Sequence, residues 1–305
     1  MQALAARLGA IALILVVAPL LPGVAARTRA FLTGRRGSPA FQLYHDLWKH
    51  ARKGAVYSTT TTSMFRLAPI AVLTTALAAT LMFPFNGREA ALSFPGDAVA
   101  LLYLLGLGRF LLVLGALDTG SSFEGMGASR EVTFSSFVEP GVFLCLIVLT
   151  VVTDQFTLSG MLGPQLGLLW PSAAPALVMI GASLFVLLLA ENARSPIDDP
   201  TTHLELTMIH EVMVLDHGGP DLAMILYAAA LKLALFAALV VAVLVPRNAV
   251  PPAAALGILV GGIVVVAVAV GIVESATARL RLQKVPLFIA AGSALAAFGL
   301  ILVLS

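Results

Sequence analysis

Charged side chains are scarce in this chain of 305 residues. Lys, Arg, Asp and Glu make up 11% of the sequence, whereas hydrophobic residues make up 59%. A soluble globular domain has about a quarter charged residues and about half apolar residues. The composition therefore excludes a soluble enzyme domain and predicts a single integral membrane domain over residues 1–305.

Cysteine is nearly absent as well, because the sequence contains only Cys145, inside an apolar run. An iron–sulfur cluster or a structural zinc site needs several thiolates, and a disulfide needs two. We therefore expect no cofactor in this chain, and any electron-carrying centre would belong to a partner. The thiol of Cys145 is interpreted as a small side chain that faces lipid or a neighbouring helix.

Eight apolar segments of about 20 residues are long enough to cross the hydrocarbon core of a membrane as helices. They are Leu4–Val24, Leu67–Phe85, Ala98–Leu117, Phe137–Leu158, Ala174–Ala190, Leu222–Val245, Ala253–Val273 and Val285–Leu304. Open strands do not survive in lipid. The predicted fold class is thus an all-α polytopic membrane protein with eight transmembrane helices and short interfacial amphipathic helices on the cytoplasmic side.

Basic residues lie mainly in the odd-numbered loops between these segments. Thirteen Lys and Arg residues are in those loops, whereas the other loops have two, Arg88 and Arg247. Lys and Arg accumulate on the cytoplasmic side of membrane proteins. We therefore expect odd-numbered loops in the cytoplasm and both termini outside, in the inner or plasma membrane of a bacterial or archaeal cell.

The stretch AENARSPIDDPTTHLELTMIHE (190–211), between the fifth and sixth segments, holds five carboxylates. Glu191 and Arg194 are three residues apart, a spacing that brings side chains together on a helix, so the sequence predicts an ion pair between them. Pro196 is expected to end this helix.

A second helix is predicted directly afterwards, along the cytoplasmic surface and ending near Leu215. Asp199-Pro200 would start it, and Thr202-x-x-Glu205 has the pattern of a capping box. Its polar stripe consists of His203, Thr207, His210 and Glu211. A metal site, a solvated surface, and a proton entry path or docking surface are three interpretations of this stripe. The histidine spacing differs from H-E-x-x-H, which argues against a metal site. The third interpretation is favoured, because acids and histidines that titrate near neutral pH line up beside a membrane acid.

Two basic residues, Arg109 and Lys232, lie inside apolar segments. Lys232 is the eleventh residue of the sixth segment, near mid-membrane. An ionisable group at such depth is costly, which predicts either a functional role or a structural ion pair with a cytoplasm-side acid. Both interpretations stay open at this point.

The third loop, DTGSSFEGMGASREVTFSSFVEP (118–140), is rich in glycine and serine and is predicted to be a solvated loop. Glu124 is interpreted as an ordinary loop residue. Glu139 is different, because it heads the fourth segment, with Pro140 in the first turn of that helix.

The first loop contains Arg35 and Arg36, followed by an amphipathic run in which Phe41, Tyr44 and Trp48 share one face. This run is interpreted as an interfacial helix with snorkelling bases, or as a platform on which a soluble partner docks. Nucleic acid is not an expected partner, because membrane topology accounts for the basic residues.

Four stretches of the chain resemble the membrane-anchor subunit of formate hydrogenlyase and related energy-converting nickel–iron hydrogenases, which is homologous to the heel subunit of respiratory complex I. They are GRRGSPAFQLYHDLWK (34–49), GASREVTFSSFVEPG (127–141), ENARSPIDDPTTHLELTMIHE (191–211) and ESATARLRLQKVP (274–286). The resemblance covers nearly the whole chain in order. The form DDPTTHLELTMIHE looks more like the hydrogenase branch than the quinone-reducing branch.

This resemblance implies a non-catalytic subunit beneath a cytoplasmic redox arm. The nickel–iron (NiFe) centre and the iron–sulfur (Fe–S) clusters would lie in the large and small hydrogenase subunits, with antiporter-like membrane subunits alongside. Seven residues would hold the positions that connect the redox site to a proton path: Glu139, Glu191, Asp198, Asp199, Glu205, His210 and Glu211. Arg194 and Lys232 complete the set of coupling candidates. The docking candidates are Arg35, Arg36, Arg130, Glu131, Glu274, Arg279 and Arg281.

Two other classes of protein remain open. One is the same heel subunit in a quinone-reducing enzyme of the complex I type. The other is a stand-alone ion transporter, which typically has internal repeats or interrupted helices. No obvious repeat relates the two halves of this sequence, which argues against the transporter. Of the two heel subunits, the hydrogenase subunit is favoured by the form of residues 198–211.

Overall fold

The computed structural model describes residues 2–198, 208–247 and 250–304. These residues form α-helices and short 3-10 helices, and no strand occurs among them. The α-helices are α1 (Gln2–Val17), α2 (Leu20–Leu32), α3 (Gln42–Ala51), α4 (Ser63–Met82), α5 (Asp97–Asp118), α6 (Ser122–Thr153), α7 (Leu158–Met161), α8 (Pro164–Glu191), α9 (Gly219–Leu244), α10 (Pro252–Ala276) and α11 (Val285–Leu304). The 3-10 helices are Glu211–Val214 and Leu282–Lys284.

Seven of the described helices are long and apolar enough to cross a membrane, and α1 with α2, bent by 41° at a short break, is an eighth candidate when the pair is counted as one span. The predicted all-α polytopic fold is therefore confirmed. The predicted amphipathic helix of the first loop is α3, where Phe41 is 59% exposed and Trp48 is 67% exposed. Asp199 and Glu205 lie outside the described residues, as does most of the second predicted helix.

The third predicted loop is wrong, because α6 begins at Ser122 and continues through it. Pro140 consequently lies inside α6 rather than in its first turn. One of the glycines that suggested a loop, Gly127, allows close packing instead. A Cβ atom on Gly127 would lie 2.2 Å from Cγ1 of Val212, so only glycine lets the segment before α9 approach α6.

The predicted segment Leu4–Val24 is not one continuous helix, because it is interrupted at Pro19, which has no N–H to donate. The carbonyl of Leu15 accepts a hydrogen bond from the hydroxyl of Tyr227 in α9, at 2.9 Å. The hydroxyl of Tyr44 in α3 donates to the carbonyl of Val16. Backbone carbonyls in a membrane need such partners, so α3 and α9 hold the bend in place.

Removing the hydroxyl of Tyr227 should destabilise this bend. We expect Tyr227→Phe to lower the free energy of unfolding by about 1–3 kcal/mol, because the Leu15 carbonyl loses its donor. Thermal unfolding of the purified protein measures the change. Ser172→Ala is the control, since the exposed hydroxyl of Ser172 donates within its own helix, to the carbonyl of Leu169 at 2.8 Å. Equal effects of the two substitutions would contradict the capping role.

Helix α9 lies at the centre of the bundle, where it packs against α3, α4, α8 and α10. On one side α4 lies along α5, and on another α6, α8 and α11 pack together. Helix α10 lies along α2. This arrangement brings the carboxyl end of α8 close to basic side chains from α5 and α9.

Candidate functional site

The centre of the site is the carboxylate of Glu191, the last residue of α8. Its side chain is 7% exposed, and its Oε1 accepts hydrogen bonds from Nη1 of Arg109 at 2.7 Å and from Nζ of Lys232 at 3.4 Å. The two cations come from α5 and α9, inside membrane-spanning helices. A carboxylate and two cations removed from water stabilise one another, because each alone would be costly to bury.

Arg109 also contacts a second carboxylate. Its Nη2 forms an ion pair with Oε1 of Glu139 in α6. The guanidinium presents several N–H donors in a fixed fork, so one arginine can bridge two acids. The side chain of Glu139 is 51% exposed, in contrast to Glu191. Arg109 thus links a buried carboxylate with one at the outside of the bundle.

A cavity of about 170 Å³ lies beside Glu191 and Lys232. Its polar lining also includes Arg194, Asp198 and His210. A water molecule takes up about 30 Å³ in the liquid, so this cavity has room for several waters between polar partners. The lining residues suit a chain of hydrogen bonds to Glu191.

Two smaller cavities are lined by some of the same residues. One of about 40 Å³ is lined by Arg109, Glu131, His210 and Lys232. Another, of about 10 Å³, is lined by Glu131 and Glu191. Glu131 was proposed from the sequence as a docking residue, and the structure places it beside the central ion pairs.

Asp198 organises the segment that follows α8. Its Oδ1 forms an ion pair with Arg279 at 2.9 Å, and its Oδ2 accepts from the backbone N–H groups of Ile209 at 3.0 Å and His210 at 3.4 Å. Asp198 is 3% exposed. The carboxylate therefore joins the segment after α8, the segment before α9 and the segment after α10.

His210 lies outside the membrane-spanning helices and lines the cavity. Burial lowers the pKa of its imidazole to about 4, and the positive charge of Lys232 adds to the shift. The ring is therefore neutral near pH 7, with one nitrogen donating and the other accepting. A neutral histidine between water and carboxylates is suited to relaying a proton.

The predicted ion pair between Glu191 and Arg194 is wrong. Helix α8 ends at Glu191, and Ala193 adopts a left-handed backbone conformation with φ of 47°, so helical spacing no longer applies. Nη1 of Arg194 instead lies 3.4 Å from Oε1 of Glu274, whose side chain is 2% exposed. The helix also ends before Pro196 rather than at it.

Of the other candidate residues predicted from the sequence, some are exposed to the outside and others contact the site. Arg35, Arg36 and Arg281 are exposed. Nη1 of Arg130 donates to the carbonyl of Met208 at 2.9 Å. Glu211 lines the 170 Å³ cavity. Their roles in docking or coupling stay predictions.

Sequence reasoning noticed Arg109 but missed its place at the centre of the site. The signal was present, because an arginine inside a span needs a partner. Glu124 was misread as a solvated residue, whereas it is 1% exposed and accepts a hydrogen bond from the N–H of Asp216 at 3.1 Å. Within residues 2–198, 208–247 and 250–304, no group of three or more His, Cys, Asp or Glu side chains is placed to hold a metal ion.

Comparisons with known proteins give consistent similarities. The sequence model of a family described as NADH dehydrogenase matches residues 5–304. The chain is 32% identical over 234 residues to hydrogenase-4 component C of Escherichia coli K12, covering 77% of this chain and 73% of that protein. It is 29% identical over 278 residues to formate hydrogenlyase subunit 4 of the same organism, covering 88% and 89%.

A solved structure has the same fold. A chain of the membrane-bound sulfane sulfur reductase, an archaeal respiratory membrane complex, superposes with a TM-score of 0.80. The alignment covers 99% of this chain and 100% of that chain at 18% sequence identity. At this identity the likeness establishes the architecture of the helix bundle and nothing about chemistry.

Proposed function

Because this chain belongs to the NADH dehydrogenase family, we propose that it is the membrane anchor of a hydrogenase complex of the formate hydrogenlyase type. Its relatives in Escherichia coli are a component of hydrogenase-4 and a subunit of formate hydrogenlyase. In this proposal the chain performs no redox step itself. It docks a soluble redox arm on its cytoplasmic face and couples the chemistry of that arm to ion movement.

The observation that carries this proposal is the buried carboxylate of Glu191 between two cations and a polar cavity. Arg109 and Lys232 stabilise the ionised form of Glu191, while burial favours the neutral form. A change of charge or water content in the cavity alters this balance, so Glu191 can take up or release a proton. His210 and Asp198, at the cavity wall, extend the route toward the cytoplasmic side.

The cofactors belong to partner subunits in this proposal. The single thiol of the chain, Cys145, is buried and lies 3.4 Å from the hydroxyl of Ser183, so it offers no cluster ligands. The nickel–iron centre and the iron–sulfur clusters are assigned to the hydrogenase large and small subunits. Antiporter-like membrane subunits are placed alongside, within the bilayer.

Purification of the intact complex from membranes tests the proposal. We expect nickel and iron to elute with this chain, together with hydrogen-evolving activity. Elution with a quinone and no nickel would instead support the heel subunit of a quinone-reducing enzyme. Elution of the chain alone, with ion transport after reconstitution, would support a stand-alone transporter.

The proposed orientation has the odd-numbered loops in the cytoplasm and both termini outside, from the distribution of thirteen against two basic residues. We expect reporter fusions at Gly87 and Pro164 to report a periplasmic location, and a fusion at Arg36 to report the cytoplasm. Cytoplasmic signals at Gly87 and Pro164 would reverse the orientation and remove the basis for docking through the first loop.

Docking of the redox arm is expected to depend on Arg35 and Arg36, which are exposed before α3. Reversal of both charges to glutamate should release the soluble hydrogenase subunits from membranes while this chain stays inserted. Quantification of nickel in the membrane and soluble fractions measures the release. The control is reversal of Arg88, an exposed residue of the opposite side. Full retention of the arm would mean that the two arginines contact only lipid headgroups.

A further inference from the structure

The carboxylate of Glu139 lies on the outside of the bundle within a membrane-spanning helix. Its side chain is 51% exposed. About 20 residues suffice to cross the hydrocarbon core, and Glu139 lies about four turns before the end of α6 at Thr153. The residue is therefore inside the spanning part of α6, where contact between a carboxylate and lipid tails is costly.

The described part of the chain gives Glu139 an ion pair with Nη2 of Arg109. The same guanidinium donates through Nη1 to Glu191. The guanidinium of Arg109 thus pairs with two carboxylates, and the exposed part of the Glu139 side chain faces away from the bundle. A hydrogen-bond donor from outside this chain would complete its partners.

Exposed aromatic side chains lie beside this carboxylate, and we call the surface that they form with it the Glu139 face. Tyr103 and Phe110 of α5 are 67% and 56% exposed, and the ring of Tyr103 lies 6.0 Å from that of Phe143, one turn after Glu139 in α6. Between Tyr103 and Phe110 lies Gly106, where a Cβ atom would be 3.7 Å from Oε1 of Glu139. The missing side chain at Gly106 leaves the carboxylate open to a neighbour.

We propose that the Glu139 face is covered by a membrane-spanning helix of another subunit. That helix would pack on Tyr103 and Phe110 and donate a hydrogen bond to the carboxylate of Glu139 from one of its own side chains. The inference rests on the proposed multi-subunit complex and names the surface through which this chain joins its membrane partners. A transmembrane helix fits an exposed carboxylate that lies within the spanning part of α6.

Charge argues against two other occupants. Lipid tails have no donor for a carboxylate. A second copy of this chain, bound through the same face by two-fold symmetry, would place one Glu139 opposite another. Like charges in an environment of low dielectric constant repel strongly, so that contact would be unfavourable.

Photo-crosslinking in membranes that contain the complete complex tests the proposal. A photoreactive amino acid is introduced at Tyr103 or Phe110, and at Val265 of α10, 67% exposed, as a control on another helix. We expect crosslinks from Tyr103 and Phe110 to one co-purifying membrane subunit. The crosslinked peptide should map to a spanning segment that has a donor side chain within one turn. Crosslinks to lipid alone, or to a second copy of this chain, would overturn the proposal.

Substitution of Glu139 gives a second measurement. Glu139→Leu removes the acceptor and should reduce the amount of co-purifying partner about tenfold, the loss expected for a hydrogen bond to a charged group. Glu139→Gln keeps an acceptor and should retain most of the partner. Phe298→Leu, on the exposed side of α11, is the control. Full retention of the partner by Glu139→Leu would refute the interface.

The outcome for the interface is separable from the outcome for the proposed function. Nickel is measured in the same preparations as the crosslinks. A crosslinked membrane subunit without nickel would reject the hydrogenase assignment and leave the interface intact. Nickel without the expected crosslinks would reject the interface alone.

Discussion

Glu191→Gln should lower the hydrogenase activity of the complex about 100-fold per bound nickel, a loss typical of removing a proton-transferring group. Glutamine keeps the shape of the side chain and an oxygen that can accept from Arg109 and Lys232, at 2.7 and 3.4 Å in the native protein. It cannot take up or release a proton. Activity with a soluble electron donor and proton movement in vesicles are the measurements.

The reference to bound nickel separates coupling from assembly. Some loss of stability is expected as well, because two buried cations lose a counter-charge. Glu89→Gln is the matched control, since the ion pair of Glu89 with Arg7 has a 71% exposed carboxylate and lies away from the site. If activity per nickel and proton movement both equal those of the native complex, the proton-path assignment of Glu191 has to be abandoned.

Arg109→Leu is expected to be the most destabilising single substitution in the site. It leaves Glu191 with Lys232 alone and leaves Glu139 without its ion pair. Breaking a buried pair by removing one partner costs about 3–5 kcal/mol. We expect a marked drop in the temperature at which the purified complex dissociates, and less of the chain in membranes.

A double substitution distinguishes an electrostatic effect from a packing effect. If the loss comes from an unpaired carboxylate, adding Glu191→Gln to Arg109→Leu should recover part of the stability, since coupling between contacting residues is about 0.5–3 kcal/mol. Arg7→Leu, at the more exposed pair, should cost about 0–1 kcal/mol. A double variant with the summed loss of both single variants would assign Arg109 a packing role.

The fold class and the family were predictable, because they depend on features that one sequence displays directly. The length of the apolar segments predicts which helices can span the membrane. The comparisons confirm the family that the four similar stretches predicted. Three residues of the stretch 190–211, Glu191, Asp198 and His210, line the same cavity of about 170 Å³, and their part in coupling stays a prediction.

The pairing within the site could not be predicted, because it depends on contacts between distant parts of the chain. Arg109 and Glu191 are 82 positions apart, and Arg194 and Glu274 are 80 apart. The spacing of three residues predicted that Glu191 and Arg194 pair with each other. Because α8 ends at Glu191, Glu191 instead pairs with Arg109 and Lys232, and Arg194 with Glu274. Gly127 was misread for a similar reason, since its role depends on Val212 from a separate segment.

The bend in the first span has a consequence for the order in which the protein matures during synthesis. The donor to the Leu15 carbonyl is the hydroxyl of Tyr227, which lies 212 positions later in the chain. Until α9 has left the ribosome and entered the membrane, that carbonyl has water or a transient neighbour as its partner. The first helix to be synthesised therefore reaches its final hydrogen bonding late, after the central helix α9 has been inserted.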